Sequence, residues 1–102
     1  MGLRIHWSER ARNSLRDLLG FIGVENRDAA QKLWLRIQES LIHAGDHPEM
    51  YRYLPELGHT YREIVSVRPF RVLYRIEEKE LRIVAVLRSE QPFDPSRFLE
   101  TP

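Results

Sequence analysis

The sequence predicts an α+β fold in which a helix hairpin packs on one face of a small, mainly antiparallel sheet. Three patterns support this prediction: a short alternating segment opens the chain, two stretches with helical spacing follow, and three strand-like segments come next. The expected order of elements is therefore β-α-α-β-β-β. Because 102 residues is the length of one ordinary domain, we expect residues 1–102 to fold as a single unit.

The first predicted elements are a strand and a capped helix. Leu3, Ile5 and Trp7 alternate with polar residues, and this period of two is typical of a half-buried strand. Ser8 follows and can cap a helix by accepting a hydrogen bond from a backbone N–H. Apolar residues then recur at helical spacing over roughly Glu9 to Gly23, which predicts an amphipathic helix that ends at the glycine.

A second helix is expected to begin at Asn26 or Asp28 and to continue to about Ala44, where Gly45 would end it. Its apolar stripe consists of Ala29, Ala30, Leu33, Trp34, Ile37, Leu41 and Ile42. Since only a few residues separate the two helices, they should pair antiparallel as a hairpin. Each helix has one apolar face, which a sheet can cover.

The stretch from Asp46 to Thr60 is predicted to be an irregular loop, because prolines and a glycine interrupt any regular pattern. It contains apolar side chains that would lie against the core, namely Met50, Tyr51, Tyr53, Leu54 and Leu57. An irregular connection of this length is more often functional than idle. The equal alternative is that it covers an edge of the sheet.

Three strands are predicted in the second half of the chain, at Arg62–Val67, Phe70–Glu77 and Leu81–Arg88. Residues 78–80 can form a tight turn, so the last two strands should form a hairpin. The break around Pro69 is also short, which makes the first two strands antiparallel neighbours.

The two faces of the predicted sheet differ in character. One face would carry Val72, Tyr74, Ile76, Leu81, Ile83, Ala85 and Leu87. The other would carry Arg71, Leu73, Arg75, Arg82, Val84, Val86 and Arg88. The first face is wholly apolar and should support the helix hairpin. An apolar stripe with arginines at its rim, as on the second face, indicates a surface for a partner segment with apolar side chains and acidic flanks. The alternative is that the loop or the C-terminal tail covers this mixed face.

Composition excludes several classes of function. The chain has no cysteine, so neither disulfides nor thiolate chemistry are possible. It has no apolar run near the roughly 20 residues of a membrane span and no signal-peptide core at its N-terminus, so we expect a cytoplasmic protein without membrane contact. His43 and His47 have helical spacing for zinc, but no third ligand stands out, and neither a metal nor a cofactor is expected.

Arginine provides most of the positive charge, and its guanidinium group suits both phosphate and carboxylate. The net charge of +1 argues against a protein coated with nucleic acid. The predicted strand arginines could stabilise the phosphorane of a metal-free RNA cleavage. However, the sequence fixes no tyrosine or histidine beside them to move protons.

The order of the elements and several local motifs resemble the RelE/ParE toxin superfamily of bacterial toxin–antitoxin modules. The opening IHWSERARNSLRDLLGFI is similar to the family's first strand and capped helix, and NRDAAQKL to the usual start of the second helix. The stretch YREIVSVRPFRVLYRIEEKELRIVAVLR resembles the family's arginine-centred strand, hairpin and last strand. The resemblance covers nearly the whole chain.

This resemblance implies a small toxin that a co-produced antitoxin neutralises. One branch of the superfamily cleaves mRNA in the ribosome, whereas the ParE-like branch inhibits DNA gyrase. Arg71 matches the strand arginine of the cleaving branch, and its basic pair after the last strand falls here on Glu90 and Gln91. The tyrosine near the C-terminus falls on Phe98, which has no hydroxyl to move a proton. These departures and the WSERAR opening favour the ParE-like branch and a gyrase inhibitor that breaks no bond of its own.

The expected partners are a cognate antitoxin, ParD-like or similar, and DNA gyrase as the target. The residues predicted to bind the antitoxin are Arg71, Leu73, Arg75, Arg82, Val84, Val86, Arg88 and Phe93. In the alternative of a ribosome-dependent mRNA endoribonuclease, Arg71, Arg75 and Arg88 would be catalytic, and direct contact with nucleic acid is expected in that case alone. A third alternative is a non-toxic remnant that still binds its antitoxin.

Overall fold

A four-stranded sheet forms one layer of the structure, and an antiparallel pair of helices forms the other. The computed structural model describes residues 2–92, 94 and 96. The elements are β1 (Arg4–Trp7), α1 (Glu9–Glu25), α2 (Arg27–Asp46), β2 (Tyr61–Ile64), β3 (Phe70–Glu77) and β4 (Glu80–Arg88), with short 3₁₀ turns at Pro48–Met50 and Pro55–Leu57. The predicted α+β class and element order are confirmed.

The strand order in the sheet is β1-β4-β3-β2. β3 pairs antiparallel with both β2 and β4, whereas β1 lies parallel to β4, with Arg4 beside Glu80 and Trp7 beside Ile83. A parallel pair needs a long crossover between its strands, and the two helices are part of the chain that connects β1 to β4. The sheet is therefore mixed, with antiparallel pairing in its larger part, as predicted.

Side-chain caps set the boundaries of the helices. The Ser8 side chain accepts from the Ala11 N–H at 3.0 Å, and that of Asn26 accepts from the Ala29 N–H at 3.0 Å. Asn26 also ends α1, because its backbone is extended, with φ −150° and ψ 91°, while its N–H still donates to the Ile22 carbonyl. The first helix thus continues two residues past Gly23, and the predicted stop at that glycine is wrong.

Gly45 also lies inside a helix, so its predicted role as a stop is wrong. Its missing side chain instead admits the N-terminal segment, since the Leu3 N–H donates to the Gly45 carbonyl at 3.0 Å. A Cβ at position 45 would lie 3.4 Å from the Leu3 carbonyl oxygen, which is closer than most Cβ contacts. The glycine therefore lets β1 begin against the end of α2.

β2 is shorter than predicted and ends at Ile64. The Arg36 side chain of α2 reaches the following turn and donates to the carbonyls of Ser66 and Arg68, at 3.0 and 3.4 Å. These carbonyls are therefore bound to a helix side chain, and the turn between β2 and β3 is fixed to the hairpin.

The main core lies between the helices and one face of the sheet. Its buried residues include Ala11, Leu15, Leu33, Ile37, Leu41, Ala44, Ile64, Val72, Tyr74, Leu81 and Ile83. Trp7 packs against Trp34 of α2, with ring centroids 6.1 Å apart. Among the residues that the structure describes, no helix is long and apolar enough to cross a membrane.

Packing of α2 on the sheet gives a testable pair of substitutions. Ile37 is 0% exposed and Ile42 is 61% exposed, although both lie on the same helix. Ile37→Ala should lower the free energy of unfolding by about 2–5 kcal/mol, because it removes buried methyl groups and leaves a cavity. Ile42→Ala should change it by no more than about 0.5 kcal/mol. Urea denaturation measures both, and equal losses would contradict this packing.

Candidate partner-binding surface

A β-bulge in β4 decides which side chains share the outer face of the sheet, by which we mean the face away from the helices. The register pairs Leu73 with Ala85 and Tyr74 with Ile83, so Val84 is an extra residue without a partner in β3. Ala85 and Val84 both pack in the outer cluster, whereas Val86 is buried in the main core. The alternation of β4 is thus shifted by one residue after the bulge.

The bulge makes the predicted positions of four residues wrong. Val86 and Arg88, predicted on the mixed face, lie on the helix side, and the Arg88 guanidinium is 5.2 Å from the centre of the Phe21 ring in α1. Ala85 and Leu87, predicted for the helix side, belong to the outer cluster. A strict alternation read from the sequence cannot include the extra residue of a bulge.

The loop between α2 and β2 covers part of the outer face. Leu54 is buried against Leu73 and Ala85, and Leu57 packs beside them. The loop also covers the edge of β2, because the Leu54 N–H donates to the Tyr61 carbonyl at 2.9 Å. The alternative that the loop covers this face is confirmed here. Leu73, predicted to contact a partner, is 0% exposed and is not accessible to one in this structure.

Two tyrosines hold the start of this loop against the core. The Tyr74 hydroxyl donates to the Pro48 carbonyl at 3.0 Å, and burial raises the pKa of Tyr74, so the hydroxyl keeps its proton. Tyr51 packs edge-on against Tyr74 and lies 3.0 Å from the His43 Nδ1 atom. Burial likewise raises the pKa of Tyr51.

His43 and His47 lie side by side, with ring centroids 5.1 Å apart. Among the residues that the structure describes, no group of three or more His, Cys, Asp or Glu side chains is arranged to hold a metal ion.

A buried carboxylate lies under one edge of the outer face. Glu63 is 1% exposed, and its Oε1 atom accepts from the Arg52 Nε at 2.9 Å. Its Oε2 atom lies 3.4 Å from Arg71 Nη1, and Arg71 Nη2 also donates to the Gln91 carbonyl at 3.0 Å. The Arg71 side chain is only 15% exposed, and its contacts with Glu63 and Gln91 lie within the chain. Glu63 was not among the residues predicted from the sequence, although an acid directly before the apolar pair Ile64 and Val65 is a signal for a buried ion pair.

One polar residue from each strand forms a row across the sheet. His6 of β1 is the register neighbour of Arg82, which neighbours Arg75, which neighbours Tyr61. Arg75 Nη1 donates to the Tyr61 hydroxyl at 3.4 Å. The sequence alone does not predict that a histidine and a tyrosine lie near the two arginines. The four residues become neighbours only through the strand order β1-β4-β3-β2.

The two arginines of this row are paired within the chain. Arg75 Nη2 lies 2.8 Å from the Glu77 carboxylate, and Arg82 lies 3.7 Å from Glu77 and 3.9 Å from Glu80. Their side chains are 33% and 37% exposed. These two strand arginines, predicted to lie on the mixed face, are therefore ion-paired with acids of the same hairpin. Phe93, also predicted to bind a partner, lies outside the described residues, as does Phe98.

Comparisons with known proteins identify the family. Residues 5–93 match the family described as ParE toxin of type II toxin-antitoxin system, parDE. The fold is similar to a chain from the chromosomal ParDE TA system from P. aeruginosa, with a TM-score of 0.72 and 21% identity over 86% of this chain and 97% of that chain. No curated protein sequence matches significantly. The architecture is thus that of a small toxin of the RelE/ParE superfamily. The chain belongs to the ParE toxin family of type II toxin–antitoxin systems.

The buried carboxylate of Glu63 can be tested by an isosteric change. Glu63→Gln removes the negative charge next to the largely buried Arg71, so the free energy of unfolding should fall by about 3 kcal/mol. Glu56→Gln, at an exposed position in the same region, should change it by less than about 0.5 kcal/mol. Urea denaturation at neutral pH measures both variants. If the two losses are alike, the Glu63 charge does not stabilise the fold.

Proposed function

We propose that this protein is a toxin that inhibits DNA gyrase and that a cognate, ParD-like antitoxin neutralises it in the cytoplasm. The match of residues 5–93 to the ParE toxins is the observation that supports the proposal most directly. The sequence resembles the ParE-like branch of the superfamily, whose members inhibit gyrase. Inhibition of this kind needs a binding surface on the toxin and no bond-breaking chemistry.

The ion pairs of the outer face also favour binding over cutting. A site that cleaves a phosphodiester needs cations that are free to stabilise the charge developing on phosphorus. Arg71 lies beside Glu63, and Arg75 and Arg82 lie beside Glu77. Carboxylates of the chain therefore offset the charge of these arginines before any substrate arrives.

The antitoxin is proposed to lie along the accessible part of the outer face. Arg75 and Arg82 keep about a third of their side-chain surface exposed. Val84 and Leu87, both in β4, remain partly exposed beside the loop. An antitoxin segment with apolar side chains could pack on these two residues while its acids meet the arginines. Apolar anchors would provide most of the affinity, and the charges would set register and association rate.

A second candidate function is a ribosome-dependent mRNA endoribonuclease. The row formed by His6, Arg82, Arg75 and Tyr61 favours it, because a histidine and a tyrosine hydroxyl are the groups that move protons in metal-free cleavage. The ion pairs of Arg75 and Arg82 with Glu77 and Glu80 weigh against it, because paired cations stabilise the charge on phosphorus less well.

Assays of gyrase and of mRNA separate the two functions. We expect the purified protein to inhibit supercoiling by gyrase and to accumulate cleaved DNA complexes. Primer extension on mRNA from cells that express it should show no site-specific cuts.

A His6→Ala, Tyr61→Phe double variant should inhibit gyrase as the parent does, since neither change removes a charge of the arginine pairs. Site-specific cuts that this variant abolishes, without gyrase inhibition, would establish the endoribonuclease. Unaffected growth would favour a remnant that binds only its antitoxin.

Charge reversal on the outer face tests the antitoxin surface. Arg75→Glu with Arg82→Glu should weaken the complex with the proposed cognate antitoxin by at least about tenfold, or about 1.4 kcal/mol. A control with the same change in net charge is Lys32→Glu with Arg68→Glu, at exposed positions away from this face. Isothermal titration calorimetry should show less than about a twofold effect of the control. Equal weakening by both pairs would place the interface elsewhere.

A further inference from the structure

The last turn of α2 carries two histidines that the proposed function does not use. His43 lies within the helix, and His47 is the residue that ends it. Residues four positions apart lie on the same side of a helix, and these two rings have centroids 5.1 Å apart and planes tilted by 45°. Both residues are exposed. The pair therefore presents two imidazole groups to solvent at one end of the helix.

The distance between the two rings suits one shared metal ion. Histidine nitrogens bind zinc at about 2.0–2.1 Å, and zinc prefers a tetrahedral arrangement of its ligands. An ion bound in this way by one nitrogen of each ring would place the ring centroids about 5 Å apart. The observed separation is 5.1 Å, so the helix already holds the rings at the distance that a shared ion requires.

Tyr51 orients one of these rings. Its hydroxyl oxygen lies 3.0 Å from His43 Nδ1, and its ring packs edge-on against that of His43. When His43 carries its proton on Nδ1, this N–H donates to the Tyr51 oxygen and the Nε2 atom keeps its lone pair for a metal. Histidine ligands are commonly held by such a hydrogen bond at their other nitrogen. Tyr51 itself packs against the buried Tyr74, so the hydrogen bond has a fixed support.

The electrostatic surroundings favour a positive ion at this end of α2. The free carbonyl groups of the last turn give the C-terminus of a helix a partial negative charge. Asp46, the last residue of α2, and Glu49, in the 3₁₀ turn that follows, are exposed carboxylates. The Arg62 guanidinium is also close, but it donates to the carbonyls of Glu49 and Tyr51 in the loop.

We propose that His43 and His47 form a binding site for one divalent transition-metal ion, with zinc as the best match. Imidazole nitrogens suit Zn²⁺, Ni²⁺ and Cu²⁺, whereas Mg²⁺ and Ca²⁺ prefer oxygen ligands. In the described part of the chain, the two histidines do not belong to a group of three or more potential metal ligands, so water would complete the coordination.

A bound ion would stabilise the end of α2 and the start of the loop. It would join the last helical turn to the residue that ends the helix and, through Tyr51, hold the beginning of the loop that covers the outer face. None of these residues belongs to the outer cluster. The test of this site therefore does not depend on the function proposed above.

Calorimetric titration with zinc chloride tests the proposal on the full-length protein without a histidine tag. Because the site has two protein ligands where structural zinc sites have four, we expect one ion per chain and a dissociation constant on the order of 10–100 µM. Magnesium chloride should show no binding. Zinc at about 1 mM should also raise the midpoint of thermal unfolding by at least about 5 °C, because the ion binds the folded chain.

Single substitutions identify the ligands. His43→Gln and His47→Gln should each weaken zinc binding at least about tenfold, since each removes one of the two nitrogen ligands. His59→Gln changes another exposed histidine and is the matched control, with an expected effect of less than about twofold. Tyr51→Phe keeps the ring and removes the hydroxyl at His43, so it should weaken binding by about tenfold.

A measurement on the unmodified protein keeps the test decisive if a variant fails to fold. Zinc should shift the ring ¹⁵N signals of two of the four histidines. The absence of binding at millimolar zinc would overturn the proposal, as would equal binding of magnesium and zinc, which would assign the ion to carboxylates. Unchanged affinity in the His43→Gln and His47→Gln variants would place the ion elsewhere. Unchanged affinity in the Tyr51→Phe variant would reduce the pair to an adventitious chelator that nothing in the fold orients.

Discussion

The rest of the structure depends on β4, because this strand must bury apolar side chains on both of its faces. On one face, Leu81, Ile83 and Val86 pack under the helices, and on the other Ala85 packs under Leu54 of the loop. β4 also pairs with β1 along one edge and with β3 along the other. A regular strand would put Val86 on the loop side, and the extra residue in the bulge moves it under the helices. The positions of the outer-face side chains follow from this irregularity.

The element types and most strand boundaries could be predicted from the sequence, because period and turn residues are local signals. β3 has the predicted bounds, and the Ser8 cap is where the pattern indicates it. The prediction that Gly23 and Gly45 end the helices was wrong, because side-chain caps and packing outweigh the average preference of glycine for helix ends. Asn26 ends α1 instead, and the Gly45 carbonyl accepts from the Leu3 N–H.

The candidate site was less predictable than the fold, because it depends on contacts between distant segments. Arg71 can be recognised as a strand arginine, but its partner Glu63 lies on another strand, and Arg52 lies on the loop. The row from His6 to Tyr61 likewise needs the strand order, since β1 and β2 occupy opposite edges of the sheet. The bulge has no signature in the alternation of β4, so the positions of Val86 and Arg88 could not be derived from it.

The arginines of the molecule differ in whether a carboxylate of the same chain lies beside them. The net charge of +1 is therefore the sum of two surfaces, one with ion-paired arginines and one with unpaired arginines among the described residues. On the outer face, carboxylates lie within 4 Å of Arg71, Arg75 and Arg82, so a partner's acids must compete with Glu63, Glu77 and Glu80. On the helix hairpin, the exposed Arg12, Arg16 and Arg27 have no carboxylate within 4 Å among the described residues, so an incoming acid displaces no acid of the chain there, although solvent screens its attraction. Charge should therefore contribute mainly to the rate of association on the helix hairpin, whereas shape and apolar packing should decide affinity at the outer face.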